Sequence, residues 1–238
     1  MMTIRRTLAA ATAIATLALA SPAFADAITL DAGDVGSTFT LNYNGFTDGT
    51  TINGLTGQTT LKLTSITDTS YNFDYTVTNT TSDPVDSRIS SFGFNTNPDI
   101  SGATSTGTYS FVDTGGNVPN GLGKIDVCFK SGGSNSCSGS GGVLDGQTGT
   151  GTLSLSFSTA PSSLTLSDFF VRYQSISGAG NVTSATGSGT VTSSSSSGGT
   201  PVPEPGMLGL FGLGLAGLAF ARRRRTPSLR PMAMPLPA

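Results

Sequence analysis

With no histidine anywhere and glutamate only at position 204, this sequence leaves acid–base chemistry to its aspartates, spread from Asp26 to Asp168. A Ser-His-Asp or Cys-His arrangement needs an imidazole base, so nucleophilic catalysis of that kind is excluded. A glycosidase would have to use two aspartates, and no spacing along the chain singles out a pair. Asp83-Pro84-Val85-Asp86 and Asn95-Thr96-Asn97-Pro98-Asp99 offer the oxygen ligands that Ca²⁺ takes. The same residue types are what tight turns require, and the turn reading is preferred. Tyr43, Tyr71, Tyr75, Tyr109 and Tyr173 have faces that could stack on sugars, yet most fall in register with core positions. The only two cysteines are Cys128 and Cys137. Without histidine they lack the ligands of a closed zinc site. In an exported chain an even count and close spacing point to a disulfide. It would staple the loop Ser131-Gly132-Gly133-Ser134-Asn135-Ser136 and contribute roughly 2–3 kcal/mol for so short a closure. The inventory is that of a protein with no catalytic residues, no metal site and no cofactor.

The elements that position these groups read as strands. Phe39, Leu41 and Tyr43 alternate with Thr and Asn. The same period of two runs through Leu61 and Leu63, then Tyr71, Phe73, Tyr75 and Val77, then Ile125, Val127 and Phe129, then Leu153, Leu155 and Phe157. Each run is short, rich in Thr and aromatics, and bounded by Gly, Asn, Asp or Ser. Ile89 to Phe94 and Tyr109 to Phe111 are shorter versions. Leu164 to Tyr173 is the most apolar piece, which predicts burial on both faces around Phe169, Phe170 and Val171. Cys128 falls on the strand face opposite Val127 and Phe129. Helical periodicity is absent from the body of the chain. Eight or nine strands with frequent turn signals predict an all-β fold, a single antiparallel β-sandwich of immunoglobulin-like or jelly-roll-like type. A β-solenoid is the alternative, but no fixed repeat supports it.

Thirteen aspartates in the body face five bases, Lys62, Arg88, Lys124, Lys130 and Arg172, for a local charge near −8. The whole-chain value of −2 hides this, because the other arginines sit near the two ends. An acidic surface with scattered bases argues against nucleic acid as a partner, since that affinity needs clustered Lys and Arg.

Both ends read as targeting segments. Residues 1–25 have a charged start at Arg5 and Arg6, an apolar run from Leu8 to Leu19, and a small-residue cleavage site at Ala23-Phe24-Ala25. That is a secretory signal peptide for the general secretory route, and cleavage would make Asp26 the first mature residue. The folded domain then spans 26–192. Low complexity begins near Asn181, and 193–201 is a Ser/Gly linker. Val202, Pro203, Glu204 and Pro205 follow, then an uncharged apolar segment from Gly206 to Ala221, then Arg222, Arg223, Arg224 and Arg225. As a helix, 206–221 would extend roughly 24 Å against a hydrocarbon core of about 30 Å, a marginal transmembrane span. The arginines act as a basic stop that stays on the cytoplasmic side. The prolines keep Glu204 out of a helix and within reach of a protease.

This ordered triplet resembles the PEP-CTERM protein-sorting segment of Gram-negative bacteria, a segment also labelled the ice-binding protein C-terminal domain. The resemblance implies recognition by an exosortase, a membrane cysteine protease that removes the anchor, and export to the cell surface or the medium. Family members usually end at or just after the basic cluster, whereas here a proline-rich tail runs from Thr226 to Ala238. In the body, Asp168-Phe169-Phe170-Val171-Arg172-Tyr173-Gln174-Ser175 and Val127-Cys128-Phe129-Lys130 resemble the small two-cysteine PEP-CTERM proteins called the cistern family. Sorting of this kind is associated with exopolysaccharide and biofilm. The expectation is therefore a non-enzymatic cell-surface or extracellular-matrix protein, held in the membrane only in transit. The alternative is a glycan- or calcium-binding surface module. An ice-binding face ranks lower, because Thr76, Thr78 and Thr80 make only a short row. Asn79-Thr80-Thr81 and Asn181-Val182-Thr183 match the glycosylation sequon, to which a bacterial chain gives little weight.

Overall fold

The computed structural model describes residues 26–118, 123–134 and 136–195. The chain divides into two compact units, Met1–Ser197 and Gly198–Ala238, and the second lies outside the described residues. So do the signal segment, with Ala23 and Ala25, and the sorting segment.

Fourteen strands form in the described residues: β1 (Ile28–Leu30), β2 (Thr38–Thr47), β3 (Thr50–Thr67), β4 (Ser70–Asn79), β5 (Asp86–Asn97), β6 (Gly102–Ser105), β7 (Phe111–Thr114), β8 (Asn117–Val118), β9 (Gly123–Lys124), β10 (Val127–Lys130), β11 (Val143–Leu144), β12 (Thr148–Ser156), β13 (Leu164–Ser177) and β14 (Ser184–Ser195). The only helical pieces among them are two 3-10 turns, Ala32–Asp34 and Gly107–Tyr109. The period-two runs form strands because alternation gives each one a buried and a wet face. In β4, Tyr71, Phe73, Tyr75 and Val77 are buried while the residues between them are not. The β2–β3 hairpin turns on Asp48-Gly49, both at positive φ (46° and 76°). That is the backbone a tight two-residue hairpin demands, and Asp-Gly supplies it at low cost.

The all-β, antiparallel expectation holds, but hydrogen bonding does not divide the strands into two facing sheets. Ten strands follow one path, β6-β12-β4-β3-β2-β14-β13-β5-β10-β7, with β1 added on β13 and β11 on β5. This sheet curls until its inner face meets itself. Tyr75 of β4 and Phe92 of β5 lie several strands apart along the path, yet their rings are 5.2 Å apart. Phe92 also stacks on Phe129 at 5.2 Å, and Phe94 touches Phe169 at 5.7 Å. The two ends of the path, β6 and β7, are joined by the segment carrying Tyr109. Tyr109 was expected on a strand. It closes a 3-10 turn instead, and its ring fills the seam. Its backbone N–H donates to Tyr75 Oη (2.9 Å), Tyr75 Oη donates to the Thr106 carbonyl (2.7 Å), and Tyr109 Oη donates to the Ile89 carbonyl (2.9 Å). The near-closure leaves little free strand edge, which limits edge-to-edge association.

The stretch from Asn181 that reads as low complexity is largely strand. β14 runs to Ser195, past the expected domain end at 192 and into the expected linker, and lies between β2 and β13. The reason is space. A Cβ on Gly187 would sit 2.9–3.0 Å from Val171, Tyr173 and Tyr43, and one on Gly189 would sit 2.7 Å from Tyr43 and 2.8 Å from Phe169. Small residues in β14 accommodate the large rings of its neighbours. At the other end, the Asp26 carboxylate accepts the Val191 N–H (2.7 Å).

β13 is buried on both faces at Phe169, Phe170 and Val171, as its composition predicts, and alternates elsewhere. At Asp168 the backbone takes φ 51° and the register with β5 shifts. Beyond this bulge Phe169 faces the main core, while Phe170 turns outward into a second, smaller cluster.

Candidate functional site

The second cluster consists of Val118, Ile125, Cys128, Cys137 and Phe170, and lies on the outer face of the curled sheet. Cys128 points away from the core because its neighbours Val127 and Phe129 point into it. It forms a disulfide with Cys137, with Cα atoms 5.8 Å apart. The bond draws the loop after β10 across β5 and β13. Ser91 Oγ donates to the Cys137 carbonyl (2.6 Å) and Arg88 Nη1 to the Ser140 carbonyl (2.9 Å). The loop fits closely because it is glycine-rich: a Cβ on Gly139 would fall 2.4 Å from the Ser131 carbonyl oxygen and 2.5 Å from that of Ser90.

Charge gathers at the same place. Lys130, 2% exposed, pairs with Asp113 and donates to the Ser134 carbonyl (2.6 Å). Arg88 Nη2 donates to Gln174 Oε1 (3.2 Å). Arg172 donates from Nη1 to Thr186 Oγ1 (3.1 Å) and from Nη2 to Ser184 Oγ (2.9 Å). Burial pushes the Arg172 guanidinium pKa down. Three of the five bases expected to be scattered thus surround one loop. The sequence carries no sign of this, because their meeting depends on the β5–β13 register and on where the loop folds back. Asn117, Ser136, Cys137, Ser138 and Arg172 line a cavity of about 200 Å³ beside the disulfide.

The other candidates resolve differently. All five tyrosines are buried, none more than 1% exposed, so none offers a face to a sugar. Desolvation raises the hydroxyl pKa values of Tyr43, Tyr109 and Tyr173. Asp83-Pro84 forms a turn closed by the Val85 N–H on the Ser82 carbonyl (3.1 Å). Asn95 is committed to structure: its Nδ2 donates to Asp168 Oδ2 (2.9 Å) and its Oδ1 accepts the Asp126 N–H (2.9 Å). Among the described residues, no three Asp, Glu, His or Cys side chains gather where they could hold a metal ion. Asn79 of the first sequon is fully buried, and its amide ties β4 to Ser87 and Val143.

The threonine row is longer than its sequence suggests. Thr40, Thr60, Thr76 and Thr150 stand opposite one another across β2, β3, β4 and β12. Neighbours in such a row are about 4.8 Å apart. Asn42, Gln58, Thr78 and Thr148 form the next row, and Thr78 and Thr148 are hydrogen-bonded through their hydroxyls (3.0 Å). Lys62 and Asp74 interrupt the row on the other side.

Fold and termini together describe an exported all-β domain followed by a C-terminal processing segment. The family that matches is the PEP-CTERM protein-sorting motif, over residues 201–225, about a tenth of the chain. By this motif the chain is a PEP-CTERM protein, exported and sorted to the cell surface through exosortase. Val202, Pro203, Glu204, Pro205 and Arg222 to Arg225 fall inside the matched range. No curated protein and no solved structure matches the chain.

Proposed function

We propose that the released β domain is a non-enzymatic component of the cell surface or extracellular matrix, associated with exopolysaccharide. In this reading the chain pauses in the inner membrane with 206–221 as a single span. Arg222 to Arg225 stop further translocation, since each costs a few kcal/mol at the membrane centre. Exosortase cuts near Pro203-Glu204-Pro205, and the domain leaves with the residues that follow β14. The observation that carries the reading is the sorting motif at 201–225. The body supports it by offering threonine and asparagine rows outward and keeping its tyrosines inside. The body's resemblance to the cistern family belongs to the same reading.

Intact-mass analysis of the protein from the envelope and medium of its own host tests this. A released form beginning at Asp26 and lacking Gly206 onward is expected. A released form that still carries Arg222 to Ala238 refutes processing, and with it the matrix reading. Alanines at Pro203-Glu204-Pro205 should leave insertion intact and block release.

A second reading, an ice-facing surface, draws on the row Thr40, Thr60, Thr76 and Thr150. Thermal hysteresis that disappears in Thr60→Lys and Thr76→Lys would favour it over the matrix reading.

A further inference from the structure

Of the two arginines at the disulfide loop that lack a carboxylate partner, Arg88 and Arg172, it is Arg172 that lines the cavity. Lys130 has a carboxylate partner, Asp113. The hydrogen bonds of Arg172 go to the neutral hydroxyls of Thr186 and Ser184, and its Nε has no partner. A guanidinium carries five N–H donors and no acceptor; two are bonded, the Nε donor is sealed from solvent, and one proton on each Nη nitrogen is left over. It also stays protonated at neutral pH, even though burial pushes its pKa down. A partly desolvated cation with neutral partners is costly, and an anion beside it removes that cost.

The cavity at Arg172 has the chemistry to hold such an anion. Its other walls are Asn117, Ser136, Cys137 and Ser138, which bring an amide and a pair of hydroxyls, bonded to each other at 2.9 Å so that one keeps a proton to give, and no carboxylate. The thirteen aspartates of the domain repel anions at long range. That field is screened within about 8–10 Å at physiological salt, and none of these aspartates lines the cavity. At about 200 Å³ the space is smaller than the roughly 300 Å³ at which sites for drug-sized ligands begin, and suits a single ring or its acidic group.

We propose that this cavity is an oxyanion-binding site, in which Arg172 grips a carboxylate or sulfate group with Asn117 and the bonded Ser136–Ser138 hydroxyl pair as further donors. Thr186 and Ser184, which do not line the cavity, hold the guanidinium in place. A guanidinium edge matches the two oxygens of such a group better than an ammonium does. The site does not depend on the matrix reading and is independent of how the chain is processed.

The test is calorimetric titration of the full secreted protein with glucuronate, with inorganic sulfate and with neutral glucose. Glucuronate is expected to bind and glucose not to. Sulfate binding as well assigns the site to the bare oxyanion. Glucuronate alone assigns it to an acidic sugar, and both outcomes uphold the proposal. Arg172→Gln should abolish the signal. Asn117→Asp, at an exposed position where folding is not at stake, places a like charge on the cavity wall and should weaken binding at least about tenfold. The proposal is overturned if neither anion binds, if glucose binds equally well, or if Asn117→Asp keeps full affinity.

Discussion

Asn79 is the position where the modification reading and the structural reading part most sharply. As the first residue of a sequon it would have to be exposed. In the fold it is fully buried at the end of β4. Its Nδ2 donates toward the Ser87 carbonyl (3.2 Å), Ser87 Oγ (3.1 Å) and the Val143 carbonyl (3.2 Å). Its Oδ1 accepts the Thr81 N–H at 3.1 Å. One amide therefore joins the end of β4 to β5 and β11. The amide has two N–H donors to share among these three acceptors, so Asn79→Ala removes two donated bonds at roughly 1 kcal/mol net each, and strands the buried Thr81 N–H at about 1–3 kcal/mol more. The expected loss is about 3–5 kcal/mol, a large share of the roughly 5–15 kcal/mol a domain possesses. For a domain of this size that lowers the midpoint of thermal unfolding by roughly 10 °C.

Asn79→Asp gives the loss a signature. It keeps the shape but turns a donor into an acceptor facing two carbonyl oxygens. The new carboxyl is more easily protonated in the folded state than in the unfolded one, so its folded pKa is raised. The neutral acid can donate where the carboxylate cannot. Stability of this variant should therefore recover as pH falls and decline as pH rises through the raised value. Thermal melts of the three proteins across the acid range make the measurement. If Asn79→Ala lowers stability by less than about 1 kcal/mol, or if mass mapping finds a glycan on Asn79, the buried-network argument fails.

The remaining predictions concern other parts of the fold. Replacing Cys128 and Cys137 together by alanine should cost about 2–3 kcal/mol by unfolding titration, and thiol titration of the secreted protein should find no free sulfhydryl. Gly189→Val drives a Cβ against Tyr43 and Phe169 and should destabilise by about 1–3 kcal/mol or more, whereas Gly102→Ala, with nothing within 4 Å, should change little. The buried hydroxyls of Tyr43, Tyr109 and Tyr173 have raised pKa values, so above about pH 10 the unfolded chain loses these protons first and stability falls with rising pH. Phenolate absorbance should then appear together with loss of strand signal, and phenolate forming in a still-folded protein would contradict the burial of these rings.

What could be read from sequence and what could not separates along physical lines. Alternation in β2, β3, β4 and β12 was legible because each strand has one dry and one wet face, and side-chain direction on a strand is a local property. Phe169, Phe170 and Val171 were legible as buried on both faces because three large apolar residues in a row leave no wet face. Closure was not legible. It rests on Tyr75 meeting Phe92 and on Tyr109 filling the seam, contacts between residues whose separation along the chain carries no periodic signal. The gathering of Arg88, Lys130 and Arg172 was hidden for the same reason, with a register shift between Arg172 and Tyr173 adding to it. β14 shows a third limit. A strand is usually recognised by β-branched or aromatic residues, and Ser184 to Ser195 has no aromatic residue and only Val191 as a large apolar one. Its evidence lies in other strands: Tyr43 on β2 and Phe169, Val171 and Tyr173 on β13 fill the space that Gly187 and Gly189 leave open. Packing constrains the volume shared by neighbouring strands rather than the volume of each residue. A glycine- and serine-rich stretch between two aromatic strands is therefore a core element, and the composition that suggests a tether is the one this core needs.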